Sequence, residues 1–173
     1  MNRLSTTLSV VASDRNHLIA IHRNILIVDW LNETTVTAVR RVSTSLRSIA
    51  ERHPIGIGLV QIVERGTRSL GADARTALAN MLSENRKAMR CSVVICDGEG
   101  FRASAVRMIV SGVALVSNPG FPHEVFADVA SGVRTMSEYM LELGARTDEF
   151  VSSLTASIAE VRERARYEAS EAR

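Results

Sequence analysis

The chain has 173 residues, 46% of them hydrophobic and 23% charged, which suits one globular domain with its own core. Only 4% are aromatic, so Val, Ile, Leu, Met and Ala must fill that core. A formal charge of +2, carried by arginines scattered along the chain with Lys87 the only lysine, argues against a nucleic-acid surface.

The first strands are "TLSVVAS" and "HLIAIHR", joined at Asp14, Arg15 and Asn16, a turn-forming cluster that predicts a hairpin. "LSTTLSVVASDR" is interrupted by polar residues and does not read as a secretory leader. A second tight connection at Arg23 and Asn24 leads into "ILIVDW". The period then changes: Val36, Val39, Val42, Leu46 and Ile49 recur at three- and four-residue spacing, one face of a helix. Asn32 and Thr34 are its candidate caps, and His53 with Pro54 ends it. Arg40, Arg41, Arg47 and Arg52 give this helix a solvated face.

"IGIGLVQIV", residues 55–63, is apolar on both faces, as a central strand covered by helices on each side would be. Gly56 and Gly58 share one face of it, so something approaches the backbone closely there, a packed helix or an apolar ligand. After "GTRSLG" comes a helix with Ala74, Ala77, Leu78, Met81 and Leu82 on one face, then the buried strand "CSVVIC". Cys91 and Cys96, five residues apart on an extended segment, point to opposite faces and cannot bridge each other; both read as buried thiols. A further helix carries Phe101, Ala105, Met108, Ile109, Gly112, Val113 and Val116. The longest apolar run, "VRMIVSGVALV", is too short to span a bilayer, so no membrane span and a cytoplasmic location are expected. The loop "SNPGFPH", the short strand "EVFA" and a helix capped by Asp128 follow; that helix carries Val129, Val133, Met136, Met140 and Leu143 and stops at Gly144.

The turn "CDGEGFR" sits where a phosphate-binding loop would, but it lacks the lysine and carries Asp97 and Glu99, which repel phosphate. No nucleotide or other cofactor is expected. His17, His22, His53 and His123 show no metal-ligand spacing, no serine lies in a nucleophile elbow, and Asp29 at a strand end reads as a cap or as paired with one of the arginines. No catalytic residue and no metal site is assigned, and no enzyme is expected.

The segments "ILIVDW", "IGIGLVQIVERGTRSLGADARTAL", "CSVVICDGEGFRASAVRMIVSGVALV" and "FPHEVFADVASGVRTM" together resemble the STAS domain of bacterial anti-anti-sigma factors and their lipid-binding-like relatives, over roughly residues 7–143. The resemblance implies an α/β fold. A single STAS-like domain over 1–144 would have a mixed, partly parallel central sheet packed by helices, followed by a C-terminal amphipathic helix over 145–173. Partner-switching members carry a phosphorylatable serine at the start of the second helix, in an Asp-Ser-Ser-Gly-like motif. Here the matching stretch is Arg68, Ser69, Leu70, Gly71, with Leu70 in the place of the usual acceptor. Ser69 therefore reads first as a helix N-cap, and Ser69 and Thr67 as candidate partner-binding or modified residues.

Two functions compete. One is a noncatalytic regulatory module that binds a protein partner around "GTRSLG". The other is a carrier or sensor of a small apolar ligand or lipid, with Gly56 and Gly58 at its pocket. The C-terminal segment adds an expectation of its own. Val151, Leu154, Ile158, Val161 and Ala165 recur by three and four, a seam through which the chain would form a homodimer unless the stripe packs onto its own domain.

Overall fold

A computed structural model describes residues 8–96, 119–141 and 147–171. Three strands open the chain: β1 (Leu8–Asp14), β2 (His17–His22) and β3 (Ile25–Trp30). The Asp14 carboxylate accepts hydrogen bonds from the backbone N–H groups of Asn16 and His17 and so closes the first turn. Arg23, in the left-handed region at φ 55, makes the second. Helix α1 (Val36–Arg52) leads to β4 (Ile57–Val63), and α2 (Ala72–Asn85) to β5 (Met89–Ile95). β6 (His123–Phe126), α3 (Val129–Met140) and α4 (Thr147–Glu171) complete the described chain.

The six strands lie in chain order in one sheet. β1, β2 and β3 pair antiparallel, whereas β3 through β6 run parallel. A β-bulge between Val10 and Ala12 interrupts the edge strand β1 and leaves Val11 exposed. This is a mixed α/β sheet with β4 inside it, as its two-sided hydrophobicity requires.

Period-two alternation sends each strand's side chains to two different cores. Leu26, Val28 and Leu59 meet Val39, Val42, Leu46 and Ile49 of α1 and Met81 and Leu82 of α2. Ile25, Ile27, Val60 and Ile62 face the other way, onto Val133 and Met136 of α3 and a long stripe of α4. The protein is thus a three-layer sandwich, helices on both faces of the sheet.

The C-terminal stripe belongs to that second core. Leu154, Ile158, Val161 and Ala165 are at most 1% exposed, and Val151 packs at their edge. The five residues expected to form a self-association seam are therefore covered by β2, β3 and α3 of their own chain. Their burial makes α4 part of the domain.

Two caps differ from expectation. α1 is capped by Thr35, whose Oγ1 accepts from the Ala38 N–H at 3.1 Å, rather than by Asn32 or Thr34. α2 begins after Gly71, whose backbone is extended and which offers no side-chain cap. Ser69 lies two residues upstream, exposed on the loop, and the next residue, Leu70, packs against the α1–α2 core. The consequence is measurable by urea denaturation. Thr35→Ala is expected to cost about 1 kcal/mol, and Ser69→Ala less than about 0.5 kcal/mol. The reverse order would place the cap at Ser69 after all. Asp128 does cap α3, accepting from the Ser131 N–H at 2.8 Å and the Ser131 hydroxyl at 2.9 Å.

Candidate functional site

Where α1 and α2 run side by side, they leave an open groove of about 730 Å³ on the outer face of the domain. Val36, Val39, Arg40, Ser43, Thr44 and Arg47 line it from α1. Asp73, Thr76, Ala77, Asn80, Met81 and Glu84 line it from α2. Val39 and Met81 belong to the stripes that face the sheet, and the charged and polar residues fall on the flanks of the two helices beside them. The floor is tied together by Asn85, whose Nδ2 donates to the Ser43 hydroxyl at 3.3 Å and to the Met81 carbonyl at 2.8 Å. Across the top, Arg47 and Glu84 approach only to 4.0 Å with both side chains more than half exposed, a contact worth little on its own. Arginines on one wall and acids on the other can both be re-paired by an incoming surface.

The loop 65–71 leads straight into the α2 wall of this groove. Thr67 anchors it: its hydroxyl donates to the Trp30 carbonyl at 2.6 Å, and its N–H to the Glu64 carbonyl at 3.0 Å. Thr67 is 5% exposed, so its oxygen is not open to a partner or to a modifying enzyme. Ser69 is exposed on the same loop, between Arg68 and Leu70. The structure thus separates two residues that the sequence placed together: one holds the loop and the other is displayed by it.

Gly56 and Gly58 are also separated. Gly56 precedes β4 in a turn at φ +127, where a side chain would meet Arg90. Gly58 lies within β4, beyond a register shift, and a Cβ there would come within 2.8 Å of Met136 Sδ and 3.1 Å of Met140 Sδ. The expected common face breaks at that shift. The close approach at Gly58 is made by α3.

Inside the domain, two polar groups fasten α4 to the sheet, and a third is wholly buried. His22, 1% exposed, has Ser157 Oγ at 2.9 Å from Nδ1 and Ser153 Oγ at 3.2 Å from Nε2. Both ring nitrogens are thus engaged by α4 in a buried position that a substrate cannot enter, and the group pins α4 to β2. Burial, reinforced by the Arg23 charge, lowers the His22 pKa. Glu64, at the end of β4, receives Arg162 Nε at 2.6 Å and has Arg166 at 3.8 Å, fastening the other end of α4. Asp29 is wholly buried at the end of β3, on the face that carries Ile25 and Ile27.

On the opposite face, His17 is 1% exposed beside Trp30, whose Nε1 donates to Gln61 Oε1 at 3.2 Å. Burial lowers the His17 pKa more than the Asp14 carboxylate, 2.9 Å away, raises it. His123 and Ser92 are register partners on β6 and β5, and burial lowers the His123 pKa to about 4. Cys91 and Cys96 are both buried thiols.

Among the described residues, no three His, Cys, Asp or Glu side chains gather as a metal cage. None of the described helices is long and apolar enough to cross a membrane. Because strand order follows chain order, the described sheet has no order reversal of the kind that opens a dinucleotide crevice in doubly wound folds. The turn at 97–100 and the helix expected over 101–116 lie outside the described residues.

Comparison with protein-family models, curated proteins and solved structures finds no match.

The groove escaped the sequence reading because its walls come from two helices whose relative placement is tertiary. The signal available was the polar shoulder of each helix: Arg40, Thr44 and Arg47 on one, Asp73, Thr76 and Asn80 on the other, all at three- or four-residue spacing.

Proposed function

We propose that this chain is a noncatalytic, STAS-like regulatory domain that binds a protein partner across the α1–α2 groove and the adjoining loop 65–71. The observation that carries this reading is the groove itself: a wide recess with opposite charges on its two walls, continuous with an exposed loop whose base is fixed by Thr67. Complementary charges of this kind set orientation and association rate more than raw affinity. Ser69 lies where a modification would alter the rim without disturbing the fold.

Support for the carrier reading is weaker. Arg90 lies against Gly56, and α3 fills the space over Gly58 with Met136 and Met140.

Arg40→Glu combined with Arg47→Glu tests the proposal. Both side chains lie on the exposed shoulder of α1, so the urea midpoint is expected to stay within experimental error of the parent. A protein that co-purifies in stoichiometric amount from the native cells is expected to be lost. Its retention by the double variant would place the interface elsewhere.

A further inference from the structure

We propose that Cys91, Met136 and Met140 form a binding site for a soft monovalent metal ion, Cu(I). Register places Cys91 of β5 directly beside Gly58 of β4. Met136 and Met140 are one helical turn apart on α3 and therefore share a face. Cys91 Sγ lies 3.2 Å from Met136 Sδ. Both methionine sulfurs stand over Gly58, at 2.8 and 3.1 Å from where its Cβ would be. Three sulfurs from two elements thus collect above one glycine, and any larger residue at position 58 would occupy their meeting point.

The donor set selects the ion. Thioethers are neutral, soft ligands that suit Cu(I), whereas Mg²⁺ and Ca²⁺ require oxygen ligands and Zn²⁺ sites are built from thiolate, imidazole and carboxylate. Two thioethers and one thiolate give a neutral trigonal Cu(I) centre, which suits an apolar core. Met136 and Cys91 are at most 1% exposed, while the half-buried Met140 forms the approach from solvent. The three rotatable bonds of each methionine allow the sulfurs to open by the small distance that an inserted ion needs.

Binding releases one proton: Cys–SH and Cu(I) give Cys–S–Cu(I) and H⁺, with no change of oxidation state. Because the ion replaces the thiol proton, affinity should rise with pH.

The test is an anaerobic titration of the full chain with Cu(I) against a chromophoric Cu(I) chelator. One ion per chain is expected, with affinity weakened at least about tenfold in Met136→Leu and in Met140→Leu. Those substitutions conserve volume and leave the core filled. Cys91→Ser is expected to abolish binding, and Cys96→Ser to leave it unchanged. No uptake by the parent chain would overturn the proposal. So would binding that survives both methionine substitutions, or that follows Cys96. If Cys91→Ser fails to fold, the two methionine variants still decide the question.

Discussion

Deleting residues 145–173 is expected to unfold the domain, not to release a smaller folded one. The deletion removes Phe150, Leu154, Ile158, Val161 and Ala165 from the core beneath α4 and uncovers Leu18, Ala20, Ile25 and Ile27 on the sheet. It also strips His22 of both serine partners and Glu64 of both arginines. Burying a single large aliphatic side chain contributes about 1.5–3 kcal/mol. Losing a whole stripe is therefore comparable to the roughly 5–15 kcal/mol that typically separates a folded domain from its unfolded chain. Leu154→Ala is the graded version, expected to cost about 2–5 kcal/mol. Circular dichroism and urea denaturation of both variants check this. A truncated chain that unfolds cooperatively at the parent midpoint would show that α4 is an appendage.

Acid is expected to destabilise the protein from about pH 6.5 downward, before carboxylate titration dominates. His17, His22 and His123 all have pKa values lowered chiefly by burial, His123 from the ordinary 6.5 to about 4. The folded state holds these rings neutral, while the unfolded chain protonates them near pH 6.5. Their stabilising contribution is thus complete above that value and falls as pH drops toward the folded-state pKa. For His123 alone the loss by about pH 5 is on the order of 2 kcal/mol. The other two add to it in the same direction. Urea midpoints at about pH 7.5, 6 and 5 should decrease in that order, and a His123→Gln variant should show a shallower decline. Equal midpoints at the two ends of that range would mean that the three rings are not held neutral.

What the sequence made legible follows from interactions local to each element. The Asp14 turn, the α1 stripe, the strand "EVFA" and the Asp128 cap all depend on neighbours within a few residues, and the structure has each of them. The two-sided apolar run at 55–63 marked the sheet interior for the same reason, and β4 occupies 57–63 of it. The stripe of α4 behaved differently. Three- and four-residue spacing says that a face is buried but not what buries it, and its own sheet and a second copy leave the same pattern. The cap of α2 was misplaced at Ser69, whose neighbour Leu70 packs against the core, a tertiary contact. His22 meets serines 131 and 135 residues away, so only the one-turn spacing of Ser153 and Ser157 hinted at that contact. The groove likewise required knowing that α1 and α2 lie side by side.

The most direct measurement of the central claim is site-specific photo-crosslinking in the native cells. A photoreactive residue is placed at Thr44 or Thr76 in the groove, and in a control at Arg134 on α3, across the sheet. The account predicts one discrete crosslinked protein from both groove positions, absent at Arg134 and lost when Arg40→Glu and Arg47→Glu are added. A crosslinked partner that appears only at Arg134, or groove positions that capture nothing beyond the control, would contradict it.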